Sequence, residues 1–345
     1  MRVDLFDYDL PRELIADHPV RPRDAARLLD MTGARLADRS IGDLVSLLGP
    51  DDLLVVNDTR VIPSRLEGRR GDARIEATLH RPAGPGRWKA LARPARRLRS
   101  GDTVRFAGGL DAVVLSREAG EVEFDFRIDD ATLRARLHET GRMPLPPYIR
   151  RGPDSDHARD RSDYQTLFAA RDGAVAAPTA SLHFTPRLVG ALELRGVRRV
   201  TVTLHVGAGT FLPVTVDDTD DHPMHAEWGS VSAATAAEIR RTIDAGGRVV
   251  AAGTTTLRIL ETAAAPTGRP APFDGETALF ITPGYRFRVV DLLLTNFHQP
   301  RSTLMMLVSA FAGHERVMAA YRHAIDAGYR FLSYGDACLM SRPRA

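Results

Sequence analysis

Residues 291–313 read Asp-Leu-Leu-Leu-Thr-Asn-Phe-His-Gln-Pro-Arg-Ser-Thr-Leu-Met-Met-Leu-Val-Ser-Ala-Phe-Ala-Gly. An apolar run, Leu292–Leu294, stops at a polar cluster, and a second apolar stretch follows. Ser302 is suited to cap a helix there and Gly313 to end it. Asn296, His298, Arg301, Ser302 and Thr303 then fall between a strand end and a helix N-terminus. Open α/β sheets bind their ligands in such gaps.

Working outward, strand patterns at 199–206, 248–252, 279–282, 289–294 and 329–333 alternate with helix patterns at 233–245, 256–263, 303–311 and 315–327. That alternation predicts an α/β fold built on a large mixed sheet. Upstream, Leu53–Val56, the polar turn Asn57–Arg60 and then Val61-Ile62 read as strand, turn, strand. Beyond them the pattern changes. Ile75, Ala77 and Leu79 alternate with polar residues, as do Val122, Phe124, Phe126 and Ile128, and glycine-rich turns separate the runs. Short strands with one wet face predict a small antiparallel β-barrel domain at 66–145. It is expected to be inserted into a discontinuous α/β domain, 1–65 and 146–345. The proline-rich stretch Met143–Tyr148 reads as a linker or an ordered extended arm. The charge-dense stretch 150–163 reads as a loop.

Composition narrows the chemistry. The chain has 345 residues, 43% hydrophobic and 26% charged, as in soluble globular proteins. It lacks an apolar run of the ~18 residues that a membrane span requires. The acidic start, Met1 to Asp9, has no signal-like apolar region. With Cys338 the single cysteine, no internal disulfide and no multi-cysteine zinc site can form. A cytoplasmic location is expected. Lys89 is the single lysine and no phosphate-loop or Schiff-base motif surrounds it, which argues against covalent amine catalysis. Residues 60–105 hold 13 basic side chains against 4 acidic ones, although the whole chain carries only +3. Such a local surface suits a polyanion such as RNA, or is simply a solvated face.

Several short motifs sit at element ends. Thr203–Phe211 runs a strand into a loop containing Gly207 and Gly209, which lets backbone approach a ligand or merely makes a tight turn. It lacks the third glycine and helix of a dinucleotide fingerprint. Arg248–Arg258 meets Gly253 and then three threonines at a helix start, where free N–H groups and hydroxyls favour an anion. Ala176–Thr185, with Pro178, Thr179 and His183, reads on its own as packing. Asp221–Glu227 holds two histidines and an acid in a loop-like segment. Hydrogen bonding or acid–base work by His225 or Glu227 fits it better than a metal, and no metal is expected.

Taken together, these segments resemble the S-adenosylmethionine:tRNA ribosyltransferase-isomerases of queuosine biosynthesis. The likeness runs the length of the chain. It includes Leu5–Pro11, Arg23–Leu29, Val56–Pro63, Met143–Ile149, Tyr164–Thr166, Ala176–Thr185, Thr203–Phe211, Met224–Glu227, Gly253–Thr255, Pro283–Tyr285, Leu293–Phe311 and Tyr334–Ala337. The resemblance implies the same sheet-plus-barrel fold and a reaction. The ribosyl moiety of S-adenosylmethionine passes to 7-aminomethyl-7-deazaguanine at the tRNA wobble position, giving epoxyqueuosine and releasing adenine and methionine. S-adenosylmethionine is then a substrate, and no other cofactor is implied. Because the sulfonium acidifies the adjacent C5′ hydrogens, a positioned base can form an ylide. His205, His225 and His298 are the candidates, unranked. Asn57, Asp58, Thr59 and Arg60 are expected to hold substrate polar groups, with Arg60 equally suited to a phosphate. Pro178, Thr179, His183, Gly207, Gly209, Thr210 and Glu227 are expected to line the site. So are Gly253, Thr254, Thr255, Arg258, Asn296, Ser302 and Thr303, with the Gly253–Thr255 helix start offering donors to the methionine carboxylate. Two rival readings differ in class: a paralogue using the same donor on a free deazapurine or other small amine, and a non-catalytic tRNA-binding module.

Overall fold

A computed structural model describes residues 1–118, 120–152, 157–207, 209 and 214–343. Nine strands form one sheet in the order Phe273–Thr277, Glu227–Val231, Arg198–Leu204, Asp52–Asn57, Arg248–Ala252, Leu292–Asn296, Ala337–Ser341, Arg27–Met31 and Ala37–Ser40. Neighbouring strands from Arg198–Leu204 to Leu292–Asn296 run parallel, and the flanking pairs are antiparallel except Arg27–Met31 with Ala337–Ser341. The sheet is mixed, as the sequence predicts.

The two-residue period of a strand divides the central strands between two cores. Leu53, Val55, Val249, Ala251 and Leu293 join one cluster, which takes in Leu257, Ile259 and Leu260 of helix Thr254–Ala264 and Met305, Val308 and Phe311 of helix Thr303–Ala312. Leu54, Val56, Val250, Ala252, Leu292 and Leu294 join the other, with Leu188 and Leu192 of helix Pro186–Leu194. Both faces are therefore covered, which is why these strands read as continuous apolar runs.

Strands Arg65–Arg70, Ala73–Gly84, Arg87–Arg93, Thr103–Phe106, Leu110–Glu118 and Glu121–Asp125 close into an antiparallel barrel. Its separate core contains Ile75, Ala77, Leu79, Val122, Phe124 and Phe126, the apolar half of the alternation. Leu133 and Leu137 of helix Asp130–Thr140 join that core. Arg65 and Arg142 bridge each other by two backbone hydrogen bonds of 3.0 and 2.8 Å, so the chain goes into the barrel and leaves it at one point.

Three local expectations shift, and the proline-rich stretch takes the second of its two readings. The edge strand is Phe273–Thr277 rather than 279–282, and the last strand is Ala337–Ser341 rather than 329–333. Phe331 and Leu332 are instead buried in the core as irregular chain, where side-chain hydrophobicity alone mimics a strand. In the charge-dense stretch, His157–Asp163 forms a helix, because its charges pair: Arg151 with Asp160, and Arg21 and Arg23 with Asp163. The proline-rich stretch is ordered and lies against the large sheet's core through Met143, Leu145, Tyr148 and Ile149.

Candidate active site

The parallel strands end together. Val202 is in register with Asn57, Ala252 with Val56, and Ala252 again with Leu294, so the chain segments after Leu204, Asn57, Ala252 and Asn296 leave the sheet at one edge. A cavity of about 300 Å³ opens there. This is the position at which open α/β sheets bind ligands.

Gly253 sets one wall. Its φ of 98° lies in the region that favours glycine, and it turns the chain from strand into helix Thr254–Ala264. No side chain caps that helix, so its first N–H groups are left for another acceptor. Thr254 and Thr255 line the cavity. Asn57 holds this corner from behind. Its Nδ2 donates to Leu204 O at 2.9 Å and to Thr255 Oγ1 at 3.3 Å, while its Oδ1 accepts from the N–H groups of Thr59 and Leu204.

One turn along the same helix, Arg258 donates from Nη1 to Glu227 Oε2 and from Nε to Leu279 O at 3.1 Å. Glu227 Oε1 accepts the Gly207 N–H at 2.8 Å. Both members of this ion pair are buried and line the cavity. Arg258 Nη2 is buried with no hydrogen-bond partner among the described residues.

The adjoining wall is the polar cluster 295–303, which leaves the neighbouring strand. Ser302 caps helix Thr303–Ala312 by accepting the Met305 N–H at 3.2 Å, and Gly313, at φ 91°, ends it, both as predicted. A second helix N-terminus therefore faces the cavity. His298 Nε2 lies 2.9 Å from Thr295 Oγ1, and burial pushes its imidazole down to about 3, so it is neutral at physiological pH. Tyr321 Oη accepts its backbone N–H, and Tyr8 donates to its carbonyl. Asn296 Nδ2 donates to Leu332 O at 3.0 Å, and its side chain also meets the His183 imidazole.

The remaining walls come from Pro178 and Thr179, from Gly209 with His222 and His225, and from the proline-rich arm. A Cβ on Gly209 would lie 2.7 Å from His225 Cδ2, so only glycine lets the loop pass under that ring. Tyr148 Oη and Ser333 Oγ, 2.7 Å apart, join the arm to the loop before the last strand. Tyr148, Tyr164, His222, Met224, Thr295 and Ser333 line the cavity although no site role had been read for them. Tyr148 and Tyr164 lay in the segments that carried the resemblance, but nothing in their spacing pointed inward.

Other expected positions stand outside the cavity. His205 stacks on Trp228 at 5.0 Å, and its Nδ1 lies 2.7 Å from Thr59 Oγ1, on the side of its strand away from the cavity lining. Asn57 and Asp58 are used up inside the fold, Asp58 accepting from Thr203 Oγ1 at 2.6 Å. Arg60 donates to Ala169 O at 3.0 Å and is half exposed. His183 is buried behind the cavity beside Asn296 and Arg23, where burial pushes it down to about 4. Gly207 serves Glu227 through its N–H. Thr210 lies outside the described residues. Thirteen expected residues do line the cavity: His225, His298, Pro178, Thr179, Gly209, Glu227, Gly253, Thr254, Thr255, Arg258, Asn296, Ser302 and Thr303. Among the described residues, no group of three or more histidine, cysteine or acidic side chains could hold a metal ion, and no helix is long and apolar enough to cross a membrane.

Comparison with known proteins gives one answer. The S-adenosylmethionine:tRNA ribosyltransferase-isomerase of Rhodospirillum rubrum is 59% identical over 342 residues, covering 99% of this chain and 98% of its own. That of Methylocella silvestris is 60% identical over 356 residues, covering 99% and 98%. A solved structure, the S-adenosylmethionine tRNA ribosyltransferase of Thermotoga maritima, matches with a TM-score of 0.56 at 38% identity over 97% of this chain and 99% of that one. Residues 3–340 match the family described as queuosine biosynthesis protein, and the chain belongs to that family.

Proposed function

We propose that this chain is an S-adenosylmethionine-dependent tRNA ribosyltransferase-isomerase. It moves the ribosyl moiety of S-adenosylmethionine to 7-aminomethyl-7-deazaguanine at the tRNA wobble position, forming epoxyqueuosine and releasing adenine and methionine. Its near-full-length similarity to proteins of that name supports the reading. The observation that carries it is the cavity at the strand ends, which the uncapped helix start at Gly253 and the polar cluster 295–303 line together. In this reading residues 1–65 and 146–345 form the catalytic domain and 66–145 a barrel domain, in a cytoplasmic enzyme.

Roles follow from position. The C5′ hydrogens beside the sulfonium need a base within hydrogen-bond reach. Of the three candidate histidines, His205 faces away from the cavity, and His298 is held weakly basic by burial. His225 lines the cavity and is exposed, so it is free to take a proton and pass it to solvent. We assign it as the base. The helix start at Gly253–Thr255 takes the donor's carboxylate.

Incubation with S-adenosylmethionine and tRNA carrying the deazaguanine tests this. Free adenine appearing only with that tRNA supports the reading. Adenine formed with the free deazapurine would favour the small-molecule paralogue, and tRNA binding without adenine the non-catalytic module.

A further inference from the structure

Arg258 has an unmet need. A guanidinium offers five N–H donors in a planar fork. Nη1 is taken by Glu227 and Nε by Leu279 O, but among the described residues Nη2 has no partner although the side chain is only 6% exposed. Buried donors are ordinarily satisfied, and an exception at a cavity wall marks a place for a ligand. The other oxygen of Glu227, Oε1, accepts the Gly207 N–H at 2.8 Å rather than an Arg258 donor. Arg258 also lies one helical turn from Thr254, and both line the same cavity. A fixed cation therefore stands beside uncapped backbone N–H groups, and both favour an anion.

We propose that Arg258 reads the amino-acid carboxylate of the sulfonium donor, with Glu227 as the residue that orients its fork. The inference rests on the donor proposed above, and it adds a means of selecting that donor. The pair is pre-set: Glu227 fixes the guanidinium plane before the ligand arrives, so little side-chain freedom is lost on binding. The site then discriminates between S-adenosylmethionine and its decarboxylated counterpart, which shares the sulfonium, ribose and adenine. The contact also demands arginine, because lysine presents a point charge that could not hold Glu227 and the Leu279 carbonyl and still offer a fixed donor to the ligand.

Calorimetric titration of both compounds into the protein, without tRNA, tests the proposal independently of turnover. The wild type should bind the decarboxylated compound roughly 10- to 100-fold more weakly, as expected for loss of one charge-assisted contact. R258Q should bind both about equally, at the weaker level, and R258K should recover only part of the preference. In turnover the loss in R258Q should appear first in KM for S-adenosylmethionine. Equal binding of the two compounds by the wild type overturns the proposal, whether or not the variants fold. So does retained preference in folded R258Q, or a loss in R258Q confined to affinity for the tRNA, which would make Arg258 a reader of the acceptor base. Absence of adenine release by the wild type, with the binding preference intact, would instead sink the proposed reaction and leave this inference standing.

Discussion

Tyr148 Oη and Ser333 Oγ lie 2.7 Å apart, and this bond ties the arm that follows the barrel to the loop that precedes the last strand of the sheet. Both residues line the cavity, so the bond links barrel placement to the shape of the site. Tyr148→Phe keeps the ring packed and removes only the hydroxyl. It should cost about 1 kcal/mol of stability in urea denaturation and raise KM for the donor several-fold with kcat little changed.

Asn57 is predicted to matter for folding rather than for substrate. It is fully buried, and its amide makes four hydrogen bonds that join two strand ends to Thr255. Asn57→Ala leaves those backbone groups unpaired and should cost on the order of 3 kcal/mol. Denaturation midpoints measure that loss. An unchanged midpoint with lost donor affinity would mean that the amide faces substrate instead.

The two buried histidines set an acid limit. Burial holds His298 down to about 3 and His183 to about 4, against an ordinary value of 6.5. The unfolded chain therefore takes up protons at these sites before the folded chain does. Their contribution is constant above pH 6.5, and stability falls as pH drops below it, down to about 4 for His183 and about 3 for His298. Each should remove about 2 kcal/mol between pH 7 and pH 5. Urea denaturation at the two pH values checks this, and His298→Gln should flatten the dependence by about half.

Gly253→Ala places a Cβ where φ is 98°, a conformation that side chains rarely adopt. The nearest atom, Ala180 Cβ at 3.6 Å, is in ordinary contact, so the penalty comes from the backbone. About 1–2 kcal/mol is expected, with weaker donor binding because the helix start must shift. Thermal melts and donor titration measure the two effects separately.

The legible parts of the fold were those where period alone carries the information. The barrel's alternation at Ile75, Ala77 and Leu79 mapped directly onto an inward face. The helix from Thr303 to Ala312 announced both its cap and its stop. Phe331 misled because a residue buried in irregular chain leaves the same apolar trace as a strand. Within the site, Gly253–Thr255 and Asn296–Thr303 were readable because polar residues at element ends have few uses besides capping and binding. His205 and His225 could not be separated, since which face of a strand end meets the cavity depends on how neighbouring loops pack. Asn57 resembled a binding residue for the same reason: a buried amide that ties backbone together has the composition of one that holds a ligand.

We propose that proton abstraction occurs within this cavity, at His225. The most direct measurement is the rate of tRNA-dependent adenine release by His225→Gln and His205→Gln, with folding verified by melting. The account predicts that His225→Gln loses roughly 100-fold or more in kcat with KM nearly unchanged, while His205→Gln stays within a few-fold of wild type. Full activity in His225→Gln, together with a collapse in His205→Gln, would contradict it.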